Sequence, residues 1–213
     1  KWDAVAYDDV SGASLDPAAV QAARRDEMRF VREQDVWEPV AREHARSQGW
    51  DVIGTRWIVI NKGDALRPNY RSGLVAQEFN TSVGRDPYAE NFSATPPLEA
   101  KKVLFSLAVT ENIWYKKGNR HLGMKLDFID VRRAYFHAKA RRDVYISLPD
   151  EDHEEGMCGK LEKSMYGTRD AAQNWTAEYT RTLVSLGFHQ GRASTCNFHH
   201  NKRNISFNEQ RKI

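Results

Sequence analysis

Residues 124–148, MKLDFIDVRRAYFHAKARRDVYISL, put an acidic residue, Asp130, at the end of an apolar run and among arginines. Leu126, Phe128 and Asp130 alternate with Asp127, Ile129 and Val131, so the segment predicts a strand whose two aspartates lie on opposite faces. One metal ion cannot reach both. A second predicted strand, residues 143–148 (DVYISL), comes closely enough after it to pair with the first or border it, and Pro149 ends it. Arg132, Arg133, Lys139, Arg141 and Arg142 crowd the same stretch, either as solvated cations or as a surface for a polyanion.

The 213 residues suffice for one large domain or two small ones, and 40% hydrophobic, 11% aromatic and 29% charged residues make a globular balance rather than a disordered one. No run approaches the roughly 18 apolar residues of a membrane span, and no N-terminal stretch reads as a signal peptide. The expectation is a polar, folded, intracellular protein without a membrane partner. The chain begins at Lys1, as a piece of a longer protein would. Cys158 and Cys196 are too few for a disulfide scaffold and are expected to be reduced thiols in a reducing compartment. A net charge of +3 decides little, so the distribution of charge carries the information.

Residues 1–15 lack periodicity and are expected to be irregular. Asp16 and Pro17 then form an N-cap and first-turn proline, and Val20, Ala23, Met28 and Val31 fall on one face of a helix ending near Gln34. Residues 36–56 read as loop with short extended pieces. The runs 56–61 (RWIVIN) and 70–79 are rich in β-branched and aromatic residues and predict a hairpin, with Lys62 and Arg67 in its loop and Arg71 at the start of its second strand. Pro87, Pro96 and Pro97 punctuate the next segment, until Leu98 opens a helix whose stripe of Ala100, Val103, Leu104, Leu107 and Ala108 is expected to pack on a sheet. Asp170 with Gln173 resembles a capping box before a helix carrying Trp175, Tyr179, Leu183 and Leu186, and Gly187 is its predicted C-cap.

Other chemistries find little support. The acidic run at 150–155 reads as a solvated loop rather than a metal site, and Cys196, His199 and His200 lack the second half that zinc needs. No Gly-rich phosphate loop and no G-x-S-x-G elbow occurs.

Taken in order, TRWIVINKGD, NYRSGLVAQEFN, IDVRRAYFHA, DVYISLP, KLEKSMYGT, NW, LGF and CNF resemble the reverse transcriptase domain of copia-type LTR retrotransposons, over about residues 17–204. The resemblance implies an α+β fold: the fingers and palm of a right-hand polymerase, mostly antiparallel sheet with packed helices, incomplete at the C-terminus. It divides the chain into an N-terminal segment 1–15, the polymerase-like domain 16–204 and a diverged polar tail 205–213. It implies an RNA template, a DNA primer and deoxynucleoside triphosphates as partners, with the rest of a Pol polyprotein in a complete element. The location would be the cytoplasm, with a virus-like particle or the nucleus as alternatives. The chemistry implied is two-metal nucleotidyl transfer, with carboxylates holding two Mg²⁺ about 3.5–4 Å apart.

Within that resemblance DVRRAYF matches the first catalytic motif, so Asp130 is the metal-binding aspartate and Asp127 falls outside the match. Tyr135 matches the ring under the incoming sugar, and the backbone of Val131, Arg132, Arg133 and Ala134 is expected near the triphosphate. Arg71 matches a basic fingers position, Lys62 and Arg67 lie where template or primer would pass, and Gly167 matches the Y-G-L-K-Q segment. Gly73 departs from the family's arginine, and Asp170 replaces its glutamine. The third motif, with paired aspartates, is expected after CNF, yet no aspartate follows Asp170. The 213 residues alone are therefore expected not to polymerise. The alternative to a truncated polymerase is a non-catalytic remnant that binds nucleic acid.

Overall fold

The computed structural model describes residues 5–64, 66–78, 98–113, 116, 118–119 and 125–208. Pro87, Pro96, Pro97 and Glu209 lie outside that set. The chain divides into two compact units: Lys1–Asn91 with Arg133–Trp175, and Phe92–Arg132 with Thr176–Ile213. No helix among the described residues is long and apolar enough to cross a membrane.

In the first unit the N-terminal segment, expected to be irregular, forms two short strands among its described residues. Strands β1 (Ala6–Tyr7) and β2 (Ser14–Leu15) pair antiparallel. Two-residue strands are too short to display a period, and the turn between them is held by side-chain chemistry: Asp8 accepts from the N–H groups of Val10 and Ser11 at 2.9 and 2.8 Å. Helix α1 (Pro17–Glu33) forms as its spacing predicts, with the Asp16 carboxylate accepting the Ala18 N–H at 3.0 Å and Gln34 as C-cap. Val20, Met28 and Val31 are buried along its stripe.

Residues 36–56, expected to be loop with short extended pieces, hold those pieces as strands β3 (Trp37–Ala41) and β4 (Val52–Ile53), and the departure is helix α2 (Arg42–Ser47) between them. Pro39 hides β3 in the sequence, but β3 is an edge strand, where proline is tolerated. Its sheet runs β3-β8-β7-β4, with β7 spanning Tyr145–Ile146 and β8 spanning Met157–Leu161. β7 pairs parallel to β4 and antiparallel to β8. Gly159 opposes Pro39, and a Cβ there would lie 3.0 Å from the Trp37 ring, so the glycine lets the indole lie on the sheet. The predicted hairpin is present as β5 (Thr55–Asn61) and β6 (Tyr70–Ala76), in register from Thr55↔Ala76 to Asn61↔Tyr70. The core joins α1, β6 and this sheet through buried Met28, Val31, Leu74, Phe136, Ile146 and Met165.

In the second unit, helix α3 (Leu98–Val109) forms where expected but buries none of its residues. Of the predicted stripe Val103 is 55% exposed, while Ala100, Leu104, Leu107 and Ala108 are half-buried. The sheet of this unit packs on another helix. Helix α4 (Ala171–Ser185) crosses the unit boundary after Trp175, and its Tyr179 meets Phe198 edge-on at 5.9 Å. Phe198 belongs to the three-stranded sheet β9 (His189–Gln190), β10 (Asn197–His200) and β11 (Ile205–Asn208), in the order β11-β10-β9. The polar residues after Asn204 thus begin as a strand paired with β10. Gly187 ends α4 at φ +90°, with Gly187 N–H donating to Val184 and Phe188 N–H to Leu183, the pattern that glycine allows.

The predicted strand at 126–131 is absent. These residues adopt no regular structure, and Phe128 and Ile129 are 80% and 73% exposed. β7, its expected neighbour, has both edges taken by β4 and β8, so the expected pairing with residues 143–148 does not form. The alternation that separated Asp127 from Asp130 therefore has no counterpart in the fold, and Asp130 rests on the DVRRAYF motif.

Candidate nucleotide and nucleic-acid site

Three segments of the first unit converge around one aromatic pair. A 3₁₀ turn, Ala134–His137, carries Tyr135, with Phe136 fully buried beneath it. The Tyr135 ring stacks on Tyr166 at 4.4 Å between centroids, and Tyr166 meets Phe136 edge-on at 5.6 Å. Burial pushes the Tyr166 hydroxyl up from its ordinary value, against backbone hydrogen bonds from Tyr135 and Ala134. The Tyr166 carbonyl accepts the Ala76 N–H at 2.7 Å, which fixes the end of β6 to the same point. Gly167 comes next at φ +87°, where a Cβ would stand 1.9 Å from the Ala76 carbonyl oxygen. Only glycine fits that crossing. Gly73, by contrast, has open space around it.

The fold thus brings Ala134, Tyr135 and Gly167 together around Tyr166. It does not bring the basic hairpin positions there. Arg71 is exposed and pairs with Ile60, five residues along β6 from Ala76, about 16 Å at ~3.3 Å per residue. Lys62 and Arg67 are exposed in the loop at the far end. Asp130, Val131 and Arg132 are exposed residues of the other unit.

The arginines of the 124–148 stretch have separate fates. Arg133 is half-buried, with Nε 2.6 Å from Glu27 and an Nη 3.1 Å from Asp26. Arg142 donates to Glu78 at 2.5 Å and to Asp170 at 3.0 Å. Arg169 donates to Glu78 through Nε at 2.9 Å and through its backbone N–H at 2.8 Å. Burial pushes the Glu78 carboxyl up, but Arg142 and Arg169 prevail and leave it below its ordinary value. Asp170 also accepts from the Asn174 amide at 2.8 Å, so its carboxylate belongs to this half-buried network as well as to the start of α4. Lys139 and Arg141 are exposed.

Sequence reasoning missed Tyr166, Glu27 and Glu78. A signal existed for Glu27: it sits one residue before Met28 on the apolar stripe of α1, where a carboxylate demands a cation. For Glu78 no pattern exists, since its partners lie far along the chain.

For metal chemistry the described residues fit poorly. Among them no three His, Cys, Asp or Glu side chains come together as a metal site, and Asp130 supplies one carboxylate where two-metal chemistry needs more. Cys158 and Cys196 are buried and not joined in a disulfide, and burial raises the Cys158 thiol. His199 Nδ1 lies 3.0 Å from Ser206, and His200 Nδ1 accepts the Arg203 N–H.

The comparisons with known proteins agree on one family. The family model described as reverse transcriptase (RNA-dependent DNA polymerase) matches residues 35–205. The chain is 30% identical over 143 residues to the retrovirus-related Pol polyprotein from transposon RE1 of Arabidopsis thaliana, covering 64% of this chain and 9% of that protein. The Pol polyprotein from transposon RE2 of the same plant is 29% identical over the same shares. That from transposon TNT 1-94 of Nicotiana tabacum is 24% identical over 70% of this chain and 11% of its own length. The chain therefore spans about a tenth of the curated relatives it matches. No solved structure matches. With most of its length inside the family model, and with copia-type Pol polyproteins as relatives, this chain belongs to the reverse transcriptase (RNA-dependent DNA polymerase) family.

Proposed function

We propose that this chain is the fingers-and-palm part of an RNA-directed DNA polymerase, within residues 16–204, acting on an RNA template, a DNA primer and deoxynucleoside triphosphates as part of a longer Pol polyprotein. The observation that carries the reading is the Tyr135 turn, whose ring is braced by Tyr166 while Gly167 locks to β6. A ring held this firmly is suited to lie under an incoming sugar and to exclude a 2′-OH. The backbone of residues 131–134 would offer N–H groups to the triphosphate, and Arg71, Lys62 and Arg67 would meet phosphates along the hairpin. Asp130 would be one ligand of a Mg²⁺ pair.

A second reading is favoured by one sequence fact, the lack of any aspartate after Asp170. On it, these 213 residues bind template and primer but do not extend. Both readings require nucleic-acid binding, and fluorescence anisotropy of a labelled RNA–DNA hybrid across a salt series tests it. Affinity should fall with salt, and Lys62→Ala or Arg67→Ala should each shallow the log–log slope by about 1. An absence of affinity and of any salt slope would defeat both.

A further inference from the structure

We infer that Glu27, on a helix that precedes the family-matched region, is a positioning residue for the Tyr135 turn and acts through Arg133. The inference rests on the nucleotide-site reading, which gives the turn its purpose. Helix α1 ends at Glu33, before the match begins at residue 35. It nevertheless reaches the centre of the site.

Glu27 is 5% exposed on the stripe that also buries Met28 and Val31. A carboxylate left there without a cation would be costly. Its partner is Arg133, whose guanidinium also reaches Asp26 and lies over the Phe30 ring, 4.5 Å from the centroid. Phe30 in turn meets Phe136 at 6.3 Å and His137 at 6.0 Å. Residues 26, 27 and 30 of α1 therefore grip the turn along one helical face.

The grip falls on the residue that needs it. Arg133 has φ +52° and ψ +44°, a left-handed conformation that a side chain adopts only where its surroundings hold it. Its carbonyl accepts the Phe136 N–H at 3.0 Å and so starts the 3₁₀ turn that aims Tyr135 at Tyr166. Arg133 is also the first residue of its span in the compact unit. The chain thus enters this unit at Arg133, directly after motif residues 130–132. Val20, Met28 and Val31 pack α1 into the hydrophobic clusters, so the helix has attachments besides the ion pair. Its distinct effect is on the turn.

The test is amide hydrogen exchange on the full 213-residue chain, paired with binding of a Mg²⁺-loaded deoxynucleoside triphosphate and of an RNA–DNA hybrid. Glu27→Gln should speed exchange of the Phe136 and Ala138 amides at least tenfold more than that of Leu161, whose N–H bonds to Val144 in the sheet. It should also weaken nucleotide binding about tenfold and leave hybrid binding unchanged. Val31→Ala is the structural control, loosening α1 without touching the pair, and it should accelerate all three amides by similar factors. The inference is overturned if Glu27→Gln accelerates Phe136 and Leu161 equally, or changes neither. Absence of nucleotide affinity in the unmodified chain would count against the polymerase reading, while the exchange ratio decides the role of Glu27 either way.

Discussion

Tyr166 stacks on Tyr135 at 4.4 Å while its own carbonyl accepts the Ala76 N–H, so one residue ties the turn after the Asp130 motif to the end of the hairpin. Removing its ring should release the turn, whereas the bond to Ala76 is made by the backbone and needs no side chain. Tyr166→Ala is expected to destabilise the fold by about 2 kcal/mol, from lost burial and aromatic contact, and Tyr166→Phe by about 1 kcal/mol or less. Denaturant titration measures both, and near-equal losses would mean that the ring contact contributes little.

Gly167 offers a stricter test. A Cβ at its position would lie 1.9 Å from a backbone oxygen, at a positive φ that already disfavours a side chain. Gly167→Ala should cost about 3 kcal/mol, combining strain with displacement of β6. Gly73→Ala, with open space around it, should change stability little.

The Glu78 network makes a claim about charge. Its carboxylate is bonded by half-buried Arg142 and Arg169, and removing its charge takes this partner from Arg169 while Arg142 keeps Asp170. Glu78→Gln should lose about 1 kcal/mol, the two cations being partly solvated. Because the folded carboxyl lies below its ordinary value of 4.5, the stability it lends is present above that value and is lost as pH falls through the folded one.

Acid should also act on the N-terminal clasp. Asp8 accepts from the Asn61 backbone N–H on β5 and from Ser11 and Val10, and these bonds lower its pKa from 3.8 to about 2. The neighbouring Asp9 accepts the Val59 N–H at 2.6 Å. Both carboxylates occupy the edge of β5 that β6 leaves open. The contribution of Asp8 is complete above pH 3.8 and disappears as pH falls from there toward 2. Asp8→Asn should flatten that part of the pH–stability curve, and an unchanged curve would show that the clasp does not couple to folding.

How much of this was legible in the sequence depends on where the determinants lie. Helix α1 announced itself through Asp16 and Pro17, the end of α4 through Gly187, and the hairpin through two β-branched runs about a turn, all local features. The Asp130 segment misled because β-propensity describes fit to a neighbour, and β7 had no edge to offer. The short strands β1 and β2 left no period to read. Of the site, Tyr135, Gly167 and the basic hairpin positions were named from ordered motifs, whereas Tyr166 became a partner only through folding. Glu27 was visible as a charge on an apolar stripe, but its cation lies over a hundred residues later.

The central claim is that these 213 residues carry a built nucleotide-binding turn and, next to it in sequence, one half of a metal site. Primer extension on an RNA template with a DNA primer, Mg²⁺ and deoxynucleoside triphosphates tests it most directly. The account predicts salt-sensitive binding of the hybrid with no incorporation. Incorporation by this chain that disappears in Asp130→Ala would contradict it.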